Sequence, residues 1–192
     1  MRPNPLIVIL FVVLFLITTL ALGWKDPRPG GAPDWTDPMF PRCLEAVPES
    51  AELSFLDHPG ADFTLEVLAQ PVAAPESGFY GYGLVYRAQD RSRYYAFAVG
   101  GDGYYAVLRM EGDEEKPVIP WQQFPHIRRG LRENRLRVAC AAAECDFAIN
   151  DEHVATVEDE TWLSGDVGLV VIGFDDPVTV EFSSARLWLS GD

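Results

Sequence analysis

The chain of 192 residues carries 15 basic and 29 acidic side chains, a formal net charge of −14, and aromatic residues make up 12% of it. That length holds one domain of ordinary size plus an appendage. The acidic excess repels nucleic acid and anionic lipid headgroups, which argues against both as electrostatic partners.

The appendage lies at the front. Every side chain in residues 6–22 is apolar except Thr18 and Thr19, with Arg2 ahead of the run and Trp24-Lys25-Asp26 behind it. As a helix the run is roughly 25 Å long, and residues 5–24 reach about 30 Å, the thickness of a bilayer core. Trp24 falls where an interfacial aromatic sits, and Arg2 with the amino terminus would stay cytoplasmic. Residues 1–24 are therefore expected to form a transmembrane helix that leaves the rest of a single-pass protein extracytoplasmic. The alternative is a signal peptide cleaved at Ala21-Leu22-Gly23, which would make the protein secreted. The apolar run exceeds the roughly 7–15 residues of a signal core, which favours the anchor.

Residues 25–41 hold prolines at 27, 29, 33, 38 and 41 together with Gly30-Gly31. Proline stiffens the chain and removes backbone donors, so this stretch is expected to be an extended tether. The domain is placed at residues 42–192. Beyond residue 33 stand 12 basic and 28 acidic side chains, a net of −16, because Arg2, Lys25, Arg28 and Asp26 lie earlier.

Residues 62–189 carry about ten short runs of Val, Tyr, Phe and Leu, each ended by Gly, Asp, Asn or Pro, the pattern of an all-β sandwich. Phe63, Leu65 and Val67 alternate with Thr64 and Glu66. Residues 82–88 and 94–99 follow, and Gly100-Gly101-Asp102-Gly103 makes a tight turn into residues 104–110. Residues 111–116 form a charged loop, and residues 121–130 are irregular. Cys140 and Cys145 flank four residues between two apolar runs. A four-residue hairpin loop would set them opposite each other for a disulfide worth roughly 2 kcal/mol. Two free thiols are the alternative. Cys43 is left over, either free and buried or paired with a second chain. Asn150-Asp151 marks a two-residue turn. Residues 167–174 are continuously apolar, as in a strand buried on both faces, and residues 178–189 close the domain.

The order Gly81-Tyr82-Gly83-Leu84-Val85-Tyr86-Arg87, Tyr94-Tyr95-Ala96-Phe97 and Gly101-Asp102-Gly103-Tyr104-Tyr105 carries a resemblance. Asn134-Arg135-Leu136-Arg137-Val138, Phe147-Ala148-Ile149-Asn150 and Gly165-Asp166-Val167-Gly168-Leu169 extend it. Together they resemble the concanavalin A-like lectin/glucanase superfamily, in its laminin G-like and 3-keto-disaccharide hydrolase-related branch of exported bacterial proteins. The resemblance implies a jelly-roll sandwich of two antiparallel sheets. It covers carbohydrate binders, glycosidases and adhesive modules alike.

Catalytic templates fit poorly. Glycosidases of this fold carry Glu-x-Asp-x-Glu on one strand so that alternation points three carboxylates into one cleft. Glu111-Gly112-Asp113-Glu114-Glu115 approaches that spacing, but Gly and Glu intervene where apolar residues should hold a strand, and Lys116-Pro117 follows. His58, His126 and His153 lack metal-ligand spacing, so no metal site is expected. No cofactor is expected either, with calcium at Asp102, Asp175 and Asp176, as in some laminin G-like domains, kept as the exception. For binding, Arg87, Tyr105 and Arg109 fall in the outward register if Leu84 and Tyr86 face the core, with Trp121 at the rim. These four are the candidate ligand contacts. The expected function is a non-catalytic binding or adhesion module with a glycan or cell-envelope protein as partner. The alternatives are a structural subunit of a membrane complex and a sugar-processing enzyme.

Overall fold

The computed structural model describes residues 31–189, and among them there are thirteen strands and no helix. No helix there is long and apolar enough to cross a membrane. The apolar run at residues 6–22, expected to be the anchor, lies outside the described residues. The strands are β1 (Trp35–Thr36), β2 (Arg42–Ala46), β3 (Ser50–Phe55), β4 (Phe63–Ala73), β5 (Tyr80–Ala88), β6 (Arg93–Gly100) and β7 (Tyr104–Glu111). They continue as β8 (Glu114–Gln123), β9 (Asn134–Ala141), β10 (Glu144–Ile149), β11 (Glu152–Glu158), β12 (Asp166–Gly173) and β13 (Val178–Leu189). One sheet runs β1-β13-β4-β9-β10-β11, with β2 also on β13, and the other runs β3-β12-β5-β6-β7-β8. Neighbouring strands are antiparallel throughout.

Alternation builds the core between the sheets. Leu65, Val67, Leu136, Val138 and Phe147 of the first sheet meet Tyr82, Leu84, Tyr86, Phe97, Val107 and Leu169 of the second. Phe147 ties the layers together, its ring 4.9 Å from Phe97 and 5.7 Å from Tyr86. The residues between these on the second sheet point the other way. Val85, Ala96, Ala106, Leu108 and Val170 form a separate apolar cluster on its outer face. Strand β12 therefore buries side chains on both faces, which is why its sequence is continuously apolar.

The expected turns hold. Asn150 and Asp151 take φ of 52° and 71°, and Ile149 pairs with Glu152 across them. The disulfide joins Cys140 to Cys145, with Cα atoms 4.1 Å apart. Its hairpin is tighter than expected, because Ala141 pairs with Glu144 and only Ala142-Ala143 make the turn. Cys43 is a free thiol and is exposed, not buried.

The chain from 111 to 123 differs from expectation. Glu111 pairs with Glu114 around Gly112-Asp113, and β8 then runs through Pro117 and Pro120. Proline is tolerated because β8 is the sheet edge, where a missing N–H removes no ladder bond. Charges and prolines disguise this strand in the sequence. Three short strands, β1 to β3, precede the run of clear alternation, and Trp35-Thr36 pair with Arg186-Leu187 inside the proline-rich stretch.

Candidate functional site

Phe79, Tyr80, Asp102, Tyr104, Trp121 and Phe174 enclose a cavity of about 360 Å³ at one end of the β3–β8 sheet. They arrive from the start of β5, the β6–β7 turn, the start of β7, the last residues of β8 and the end of β12. A shallower depression of about 420 Å³ shares Phe79 and Phe174 and continues past Gly173 to Glu49, Ser50 and Asp175. The two adjoin at Phe79 and Phe174, and the more enclosed one is of a size at the low end of small-molecule sites.

Local chain geometry holds the rings in place. Gly78 sits at φ +73°, and a Cβ there would lie 2.5 Å from the Asp102 backbone nitrogen. Its carbonyl accepts from the N–H groups of Asp102 (3.2 Å) and Tyr80 (3.0 Å), so the loop before β5 clasps the β6–β7 turn. Phe79 projects from that clasp, half exposed, and packs at 4.5 Å against Phe174 with the rings tilted by 32°. Trp121 stands nearly perpendicular to Phe174, at 81° and 6.0 Å, and a Cβ on Gly81 would meet its ring at 3.4 Å. The cavity thus has an aromatic corner.

The polar groups of the cleft are few. The Asp102 carboxylate accepts from the Tyr104 N–H at 3.2 Å. Tyr80 donates its hydroxyl to the Gly130 carbonyl at 3.3 Å. Burial, reinforced by the Asp102 charge, pushes the Tyr80 phenol up to about 12, so it stays protonated. No lysine or arginine lines the cavity or the adjoining depression. Arg129 lies against Gly103 nearby but forms no ion pair with Asp102 among the described residues.

Of the four candidate contacts read from the sequence, Trp121 lines the cleft. Tyr105 lies just beneath it. The Tyr105 ring belongs to the inter-sheet core, and its hydroxyl accepts from Gln122 at 2.8 Å. The register of β7 is therefore opposite to the one expected: Tyr105 and Val107 face inward, while Ala106 and Leu108 face out. Arg87 and Arg109 sit at the other end of the sheet, seven residues along β5 from Tyr80 and five along β7 from Tyr104, roughly 15–25 Å away. Arg87 is only 1% exposed and donates to the carbonyls of Ala61, Ala142 and Trp162. Arg109 pairs with Asp159 at 2.8 Å and Glu111 at 2.9 Å.

Phe79, Tyr80, Tyr104 and Phe174 were not singled out by sequence reasoning. The available signal was aromatic residues directly beside turns, in Ser77-Gly78-Phe79 and Phe174-Asp175-Asp176-Pro177, where alternation gives a ring no core to fill. Glu111 and Glu114 flank a hairpin turn, where Glu111 also bonds Lys116. Among the described residues no three His, Cys, Asp or Glu side chains gather as metal ligands, Asp102, Asp175 and Asp176 included.

Two antiparallel sheets packed face to face in this topology make the fold a concanavalin A-like jelly roll. No family model and no curated protein sequence matches the chain. Among solved structures it is similar to the carbohydrate binding module CBM66 from Bacillus subtilis, with a TM-score of 0.61 and 17% identity over 74% of this chain and 85% of that one. It is also similar to the GH43 protein BlXynB from Bacillus licheniformis, at 0.54 and 13% over 74% of this chain but only 30% of that one. A third likeness is to the Bacteroides ovatus mixed-linkage glucan GH16 protein, at 0.53 and 8% over 76% of this chain and 79% of that one. At these identities the likeness is one of fold.

Proposed function

We propose that this protein is a non-catalytic binding module that holds a glycan in the aromatic cleft and is kept outside the membrane by residues 5–24. The observation that carries the reading is the corner made by Phe79, Phe174 and Trp121, whose rings are partly exposed around an otherwise well-packed sandwich. Pyranose rings present apolar C–H faces that stack on such surfaces, and nearby carboxylates accept their hydroxyls. A neighbour of the same fold is by its name a carbohydrate binding module. Hydrolysis needs two carboxyl groups about 5–10 Å apart across the scissile bond. The aromatic cleft itself presents one, Asp102, Glu49 and Asp175 lining the adjoining depression instead, and the outward positions at the centre of the same sheet are Gly, Ala, Val and Leu.

The test is calorimetric titration of the full-length protein, purified in detergent, against a panel of neutral, basic and acidic oligosaccharides. Binding is expected, and Trp121→Ala should weaken it about tenfold or more, the effect of removing a central aromatic anchor. Affinity unchanged in both Trp121→Ala and Phe79→Ala would overturn the cleft as the site. Silence across the panel would overturn the glycan reading in favour of a protein partner.

A further inference from the structure

We infer that the cleft selects glycans bearing a positively charged nitrogen, the protonated amino groups of hexosamine units, over neutral or acidic ones. The inference rests on the glycan reading of the same cleft and adds the ligand's charge.

Two independent features point to a cation. The first is the wall. Phe79, Tyr104, Trp121 and Phe174 line the cavity with partly exposed rings, Tyr80 being buried in the core beside them, and an aromatic ring carries a negative face that attracts an ammonium group. Stacking on these rings accounts for a sugar's C–H faces whatever its charge, so the charge preference turns on what the ring faces and the carboxylates attract beyond that. They suit a ligand whose polar centre is a cation that ring faces can solvate. The second feature is the charge of the ionisable groups lining the cavity and the depression beside it. Asp102 stands in the cavity, and Glu49 and Asp175 stand in the depression. They are carboxylates, with no lysine or arginine among the lining residues of either. Asp102 is fixed rather than free to swing away, since its own N–H is held by Gly78 and its carboxylate by Tyr104. One carboxylate lines the ring-walled cavity, and two line the depression that shares Phe79 and Phe174 with it. That pattern matches an oligosaccharide with charges repeated along its length. A uronate or sulfated sugar would meet like charge at each ionisable lining residue, Arg129 lying behind Gly103 and outside the lining, in a protein whose net charge is already −14.

The experiment compares three tetrasaccharides of one linkage with the full-length protein: β-1,4-linked glucosamine, N-acetylglucosamine and glucose. Titrations are run at a pH where the amino groups are protonated, in low and in high salt. The glucosamine tetramer is expected to bind about tenfold more tightly than either neutral one, with the preference shrinking as salt screens the carboxylates. Asp102→Asn keeps an oxygen for the Tyr104 N–H while removing the charge, and it should cut the preference severalfold, with thermal unfolding confirming a folded variant. Equal or tighter binding of a neutral tetramer, abolished by Trp121→Ala, would overturn the charge inference and leave the glycan reading standing. Binding of none of the three, alongside silence across the wider panel, would overturn both. A glucosamine preference that persists unchanged in high salt and in Asp102→Asn would also overturn it.

Discussion

Arg87 lies at 1% exposure beneath the tip of the β9–β10 hairpin, and it takes φ +50°, an uncommon backbone conformation for a residue other than glycine. Its guanidinium gathers the carbonyls of Ala61, Ala142 and Trp162, while Ala142 holds φ +49° with its N–H donated to Asp62 at 2.7 Å. An alanine in the left-handed region is held there by its neighbours, since nothing in its own side chain favours it. Arg87→Ala would empty the buried guanidinium's place and remove the donor shared by these three part-buried carbonyls. It is expected to destabilise the domain by about 3 kcal/mol, measured as a lowered urea midpoint, and to leave glycan affinity at the distant cleft unaltered. Arg87→Lys should recover only part of the loss, because an ammonium cannot span three carbonyls as a planar guanidinium does. At the same scale Asn134 shows how a buried amide organises a loop. It is 0% exposed, donates to the Tyr82 hydroxyl at 2.8 Å and to the Arg128 carbonyl at 2.9 Å, and accepts from the Arg128 N–H at 2.9 Å. These bonds seat residues 124–133 across the end of the sandwich that carries the cleft.

Elements acquire function through their ends. The cleft is made where β5, β7, β8 and β12 begin or finish, and the clasp between Gly78 and the β6–β7 turn sets the angle at which Phe79 leaves the chain. Gly78→Ala combines a positive φ with a Cβ only 2.5 Å from backbone nitrogen, so the loop must shift. The substitution is expected to cost about 1–3 kcal/mol and, unlike Arg87→Ala, to weaken glycan binding as well; differential scanning calorimetry and titration on the same sample separate the two effects. Strand β8 contributes Trp121 only because its two prolines fall on an open sheet edge. The same sequence in a central strand would break the ladder.

For the whole molecule, acidity governs solution behaviour, and a few carboxylates carry a specific pH dependence. Burial tends to raise the Asp159 carboxyl, but hydrogen bonding from Thr161, contact with Tyr95 and the Arg109 charge outweigh it and hold the group below its ordinary value. A carboxyl depressed in the folded state stabilises the fold above its unfolded value, near 4, and loses that contribution as pH falls through the folded value. The melting temperature is therefore expected to drop on acidification below about pH 4, and to drop less in Asp159→Asn. A thermal-melt series from pH 7 to about pH 2.5 on both proteins checks this; equal acid sensitivity would show that Asp159 does not contribute.

Local chemistry made the sandwich legible. Two-residue alternation, the Asn150-Asp151 turn, the Gly100–Gly103 turn, the paired cysteines and the continuously apolar β12 each depend on residues adjacent in the chain, so composition and period suffice to find them. The sequence also marks an apolar run at residues 6–22 and a strongly acidic remainder. The tertiary structure decided what adjacency cannot encode. It set the inward register of Tyr105, which turns on how β7 aligns with β6 and not on its own alternation. It placed Arg87 and Arg109 at the far end from Trp121. It also brought together Phe79, Asp102, Trp121 and Phe174, residues up to 95 positions apart in the chain. The physical reason is that strand periodicity fixes which side a residue takes relative to its neighbours. Which ends of which strands meet is set by the order of pairing across the sheet, and that order follows from burying all the apolar faces at once.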